Sequence, residues 1–263
     1  MQEGQRVVIK AGTEANVDAE VLPWLRGVQV KAPALLARTE IIDGHTVYPV
    51  VVMSYVEWQL LANAPFPPHD CLPSLMGQVR RIHWITTDRG AGPVTEAMHG
   101  GSRSWEDYLL SILSGEDPEF RWDLMQQDSR IDREAMTQGL TTTMERVKWL
   151  AEPDRLHLLH GDLNPHNIFV EEHSVTGIVD WSYARFGDPL FDFARLRMNP
   201  FIRTNPHALS IYFDELKLDV AAREREQTYY LFNLLEYVNW YYLDERFDLV
   251  LEQLRLIAQE VGG

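Results

Sequence analysis

The stretch His160-Gly161-Asp162-Leu163-Asn164-Pro165-His166-Asn167 decides how this chain is read. Immediately before it, Leu156-His157-Leu158-Leu159 has the short apolar run of a buried strand, and Ile168-Phe169-Val170 behind it reads as a second. A polar turn through Glu171, Glu172, His173 and Ser174 leads to a third strand, Gly177-Ile178-Val179, which ends at Asp180-Trp181. Folding a ribbon of strand, loop, strand, turn and strand brings the strand ends together. Asp162, Asn167 and Asp180 are therefore expected to converge.

Two carboxylates and an amide at one point suit phosphoryl transfer, which needs positioning and charge neutralisation more than covalent chemistry. Asp162 can orient an attacking hydroxyl and accept its proton. Asn167 and Asp180 supply the hard oxygen ligands that Mg²⁺ takes beside phosphate oxygens. The spacing H-x-D-x-x-x-x-N is that of a kinase catalytic loop, and the strand-preceded Asp180 lies where the metal-binding aspartate of that pattern belongs. His157, His160 and His166 match no standard transition-metal spacing, and the single cysteine, Cys71, lends them no support.

The rest of the chain fits a globular protein. Its 263 residues are 45% hydrophobic, enough for a sizeable core. Lys and Arg total 24 against 39 Asp and Glu, a net charge of −15. That balance argues against a nucleic-acid partner and is compatible with a cationic one. One cysteine forms no internal disulfide, the start carries no secretory pattern, and no apolar run is long enough to span a bilayer. A cytoplasmic protein without a membrane partner is expected. Thr13 is placed as the cap of a helix over 14–26 that Pro23 interrupts, and Asp43-Gly44 as the turn of a hairpin joining 34–42 to 46–53. The prolines between 63 and 73 mark a boundary between lobes. Beyond them the chain reads as mostly helical: Ser104 and Asp107 as a capping box, then helices over 131–150 and 221–258.

The runs H-G-D-L-N-P-H-N, I-V-D-W-S and G-D-P-L-F-D-F-A resemble the aminoglycoside phosphotransferase family, and W-S-Y-A-R-F-G-D is most similar to its hygromycin-type members. The resemblance implies a bilobal protein-kinase-like α+β fold, with a small β-rich N-lobe over 1–60 and a mainly helical C-lobe over 61–263. It implies Asp162 as catalytic base, Asn167 and Asp180 as Mg²⁺ ligands, and Asp192 as a brace for the catalytic loop. His160 is expected to hold that loop, and Asp188 with Pro189 to shape the segment after the metal site. Lys10 would contact the α- and β-phosphates of ATP or GTP, with Asp18 as its acidic partner and Glu14 as the second choice. The backbone of Ser54 and Val56 would pair with adenine at the hinge.

One departure concerns the start. Only nine residues precede Lys10, with a single glycine, Gly4, where the family has a glycine-containing strand pair over the phosphates. A truncated start or a partly lost lid is expected, with a catalytically impaired binding protein as one alternative. Downstream, Tyr237, Trp240 and Tyr241 at helical spacing read chiefly as core, while Glu236 and Asp244 are candidate acceptor contacts. The favoured reaction is transfer of the γ-phosphoryl group to a hydroxyl of an aminoglycoside. A metabolite such as choline, homoserine or a sugar is the other acceptor considered.

Overall fold

Asp43 and Gly44 turn the hairpin where the sequence places it. In the computed structural model, whose described residues are 6–262, strands β2 (Leu35–Asp43) and β3 (Thr46–Ser54) flank that turn and pair antiparallel. Strand β1 (Val7–Ala11) lies on the other side of β3, giving a three-stranded sheet in the order β1-β3-β2. Gly4 lies outside the described residues.

Helix α1 (Ala15–Gly27) crosses this sheet and buries Ala15, Ala19, Leu22 and Leu25, the face that helical periodicity selects. Two expectations for it fail. The residue at its N-cap is Glu14, with no side-chain cap bond, so Thr13 is not the cap. Pro23 does not interrupt the helix either, which continues to Gly27 with the proline ring on its exposed side.

Strand β4 (Gln59–Leu60) pairs with the second sheet. Then follow α2 (Leu72–Ile82), β5 (Thr86–Thr87), β6 (Ala91–Val94), β7 (Gly100–Ser102), α3 (Trp105–Ser114), α4 (Trp122–Met125) and α5 (Arg133–Lys148). The amide of Asp107 donates to the Ser104 hydroxyl at the start of α3, as the capping pattern predicts. The ribbon read from the sequence is β8 (Leu156–Leu159), β9 (Ile168–Glu171) and β10 (Ser174–Ile178). Strands β9 and β10 form a hairpin that β4 extends, while β8 joins a second group of strands through β11 (Arg185–Gly187). Helices α6 (Leu190–Arg197), α7 (Pro200–Arg203), α8 (Pro206–Leu216), α9 (Val220–Leu243) and α10 (Phe247–Val261) complete the lobe. The helix expected over 221–258 is thus two helices. Between them Glu245 adopts φ 58°, a left-handed conformation that ends α9. No helix among the described residues is long and apolar enough to cross a membrane.

Candidate active site

Gly161 makes the first sharp bend of the catalytic loop. Its φ is +80°, and a Cβ there would lie 2.1 Å from the Tyr183 carbonyl oxygen, so only glycine fits. His160 is held on both ring nitrogens. Its Nε2 donates to the Val179 carbonyl at 3.0 Å, and Nδ1 accepts from the Asp162 amide at 3.2 Å. Its ring also packs 4.5 Å from that of Trp181. With neither nitrogen free, His160 positions the loop.

Asp192, fully buried at the start of α6, accepts the backbone amides of His160 and Gly161, each at 2.9 Å. A third bond comes from His83 at 3.1 Å, a residue no sequence signal pointed to. Burial favours the neutral acid, but the His83 and Gly161 hydrogen bonds prevail and hold the carboxyl below the usual aspartate range. Asp188 accepts the Leu190 amide and the Tyr229 hydroxyl, fixing the turn into α6.

The carboxylate of Asp162 is fixed from two sides. Oδ2 accepts from the side-chain amides of Asn164 at 2.8 Å and Asn167 at 2.9 Å. Oδ1 accepts from the Tyr237 hydroxyl at 3.2 Å, and burial pushes that phenol's pKa well up, so it remains a donor. Asn167 spends its NH₂ group on Asp162 and leaves its carbonyl Oδ1 with no protein donor.

Asp180 has φ 61°, an uncommon conformation that aspartate tolerates better than most residues. Its Oδ1 accepts from Lys10 at 2.9 Å and Ser182 at 2.6 Å. Burial would raise the Asp180 pKa, but these two bonds overcome it and the carboxylate stays below its ordinary value. Lys10 also binds Asp18 at 2.8 Å, with the Asp18 side chain 1% exposed. Burial opposes the lysine charge, yet Asp18 and Asp180 together outweigh it and raise its pKa. Asp18 is thus the partner that meets Lys10; Glu14 reaches only the Ser182 hydroxyl, and Glu20 pairs with Arg38.

A cavity of about 440 Å³ opens on Lys10, Asp18 and Asp180, with Val8, Met53 and Phe169 among its apolar walls. It runs to Ser54 and Val56. The Ser54 amide donates to the Ala34 carbonyl at 2.9 Å, so Ser54 offers a base at most its own carbonyl, whereas the Val56 amide has no backbone partner. A metal fits only beside a phosphate ligand. Asn167 Oδ1 and the second oxygen of Asp180 are two hard donors, and among the described residues no cluster of three or more His, Cys, Asp or Glu could hold an ion alone. Phosphate and water oxygens would have to complete the shell, which is the usual manner of Mg²⁺.

Residues 13–229 match the phosphotransferase enzyme family. The chain belongs to that family. Among curated proteins it is similar to hygromycin-B 4-O-kinase of Escherichia coli, 24% identical over 168 residues, which cover 62% of this chain and 46% of that one. It is also similar to the uncharacterized protein YcbJ of Bacillus subtilis, 32% identical over 108 residues, covering 39% and 35% respectively. The chain spans less than half the length of these curated relatives. In fold it resembles a thermostable mutant of aminoglycoside phosphotransferase APH(4)-Ia in ternary complex with ADP and hygromycin B. The TM-score is 0.77 at 19% identity, covering 98% of this chain and 87% of that one. The GDP complex of aminoglycoside 2'-phosphotransferase-IIIa gives a TM-score of 0.60 at 22% identity, covering 95% and 82%.

Two acceptor candidates of this phosphotransferase-family chain are corrected by the structure. Glu236 is 2% exposed, and both its oxygens are taken by buried arginines, Arg185 at 3.0 Å and Arg195 at 2.9 Å. It ties α9 to β11 and α6 and presents nothing to an acceptor. Asp244 stands exposed at the C-terminal end of α9 and is absent from the wall of the cavity beside Asp162. The arginines of that wall were missed, because they come from separate helices. The cavity, about 530 Å³, is lined by Tyr237 and Tyr241, stacked with ring centroids 5.3 Å apart, and by arginines from α6, α7 and the start of α10. Trp240 packs on Phe120 and Tyr183 instead.

Glu236→Ala is expected to destabilise the protein by about 3–5 kcal/mol, since it strands two buried guanidiniums. The midpoint of urea unfolding measures this. A loss under about 1 kcal/mol would show that the triad behaves as a solvated pair.

Proposed function

We propose that this protein transfers the γ-phosphoryl group of ATP, with Mg²⁺, to a hydroxyl group of a small molecule. The observation that carries the reading is the geometry at Asp162, fixed by Asn164, Asn167 and Tyr237 in the wall of one cavity, with Lys10 and Asp180 lining a second. One cavity has the apolar walls and the lysine end that a nucleotide needs. The other is lined by Asp162.

In this reaction the acceptor oxygen forms a bond to the γ-phosphorus as the bond to the β–γ bridging oxygen breaks, and ADP leaves. Asp162 orients the hydroxyl and takes its proton. Lys10, kept charged by Asp18 and Asp180, binds the α- and β-phosphates. Asn167 and Asp180 would hold Mg²⁺, which when bound offsets charge on the phosphate oxygens. GTP fits the same groups.

Names of relatives that carry hygromycin B make an aminoglycoside the first acceptor to try. The test is ADP release, measured by coupled assay with Mg·ATP and a panel of hydroxyl acceptors, together with the melting shift caused by Mg·ATP. Acceptor-dependent ADP release supports the proposal. Absence of any melting shift at millimolar Mg·ATP would reject it and favour a binding protein.

A further inference from the structure

The cavity beside Asp162 carries charge opposite to that of the chain. The net charge is −15, yet the acids on this wall are Asp162 and Glu252, against Arg195, Arg203 and Arg246. Asp162 is reserved for the hydroxyl. Glu252 already accepts from Arg203 at 3.0 Å. A ligand with several ammonium groups needs several open carboxylates to replace its lost hydration. Once the base is set aside, this wall offers only the second oxygen of Glu252.

What it does offer is guanidinium. Arg195 is 2% exposed; its Nε donates to the Gly161 carbonyl at 3.1 Å and its Nη2 to Glu236, while Nη1 has no hydrogen-bond partner. Because Glu236 also serves Arg185, one carboxylate answers two buried guanidiniums directly beneath the catalytic loop. Arg246 is exposed at the head of α10. Its backbone amide is fixed to the Tyr241 carbonyl at 2.8 Å and its guanidinium lies 5.5 Å over the Tyr241 ring. It makes no ion pair with any described residue, so its donors stay open toward the cavity it lines. Planar guanidinium groups suit carboxylate and phosphate oxygens.

We propose that the acceptor is an anionic hydroxyl compound, an alcohol bearing a carboxylate or a phosphate. Its hydroxyl meets Asp162 while Arg246 holds its anionic oxygens. The role of Asp162 rests on the phosphotransferase reading; the anion site does not.

The test is calorimetric titration of the full chain, with and without Mg·AMP-PNP, using gluconate, glucose 6-phosphate, glucose and hygromycin B. Gluconate or glucose 6-phosphate is expected to bind, the tighter of the two naming the anion, and glucose to bind more weakly than either. Added salt should weaken that binding. Arg246→Glu should weaken it by about tenfold or more, whereas Arg26→Glu, an equal charge change on the exposed side of α1, should not. Tighter binding of hygromycin B than of both anions, no detectable anion binding, or full anion affinity in Arg246→Glu would each overturn the proposal. Melting with Mg·ATP is recorded alongside. A missing nucleotide shift counts against the phosphotransferase reading alone, and the titration still decides the anion site.

Discussion

Asp162→Ala is expected to lower turnover by about 10³-fold while the protein melts close to the wild-type temperature. The two halves of that expectation have different causes. Activity is expected to fall because Asp162 lines the cavity and is the only carboxylate of the 160–167 loop. His160 has both ring nitrogens engaged, and Tyr237 is itself a donor with a raised pKa. Stability survives because Asp162 is only half-buried and Asn167 keeps its bond to the backbone carbonyl of residue 162. Asp162→Asn sharpens the experiment, since it keeps the shape and removes the basicity. Near-normal turnover in either variant would show that Asp162 is not the base.

The second large effect is expected at Asp180. Asp180→Ala should abolish the melting shift caused by Mg·ATP and reduce turnover by about 10³-fold, the rate equivalent of roughly 4 kcal/mol of lost charge stabilisation. The fold itself should tolerate the change: the Asp180 side chain is 45% exposed, and Lys10 keeps its bond to the buried Asp18. Raising Mg²⁺ should recover part of the activity, because Asn167 still contributes one oxygen. Wild-type dependence on Mg²⁺ in the variant would move the metal site elsewhere. Asn167→Ala, which removes a ligand and a brace of Asp162 together, cannot separate those roles as cleanly.

The local parts of this site were legible in the sequence. Asp162, Asn167 and Asp180 lie on one short ribbon, and a ribbon of short strands has few ways to fold. Lys10 and Asp18 were legible for a similar reason, because a strand and the helix that follows it place such a pair at fixed spacing. Thr13 and Pro23 misled because capping and breaking tendencies are small energies, and the packing of Ala15, Ala19, Leu22 and Leu25 against the sheet outweighs them.

Glu236 marks the limit. In the sequence it stood among aromatic residues and read as a candidate acceptor contact. The structure turns it inward onto Arg185 and Arg195, two residues from other elements whose position no local pattern encodes. The same holds for His83, which reaches Asp192 across 109 positions. The whole-chain charge says little about any one cavity. It is a sum over the surface, whereas an acceptor feels only the few charges that line its cavity, at short range and reduced dielectric.

The sequence by itself therefore determined the fold, the convergence of the catalytic ribbon and the lysine–aspartate pair, all set by contacts between neighbouring elements. Only the tertiary structure decided what surrounds Asp162. That wall is assembled from α6, α7, α9 and the head of α10, whose relative placement depends on core packing rather than on residue spacing.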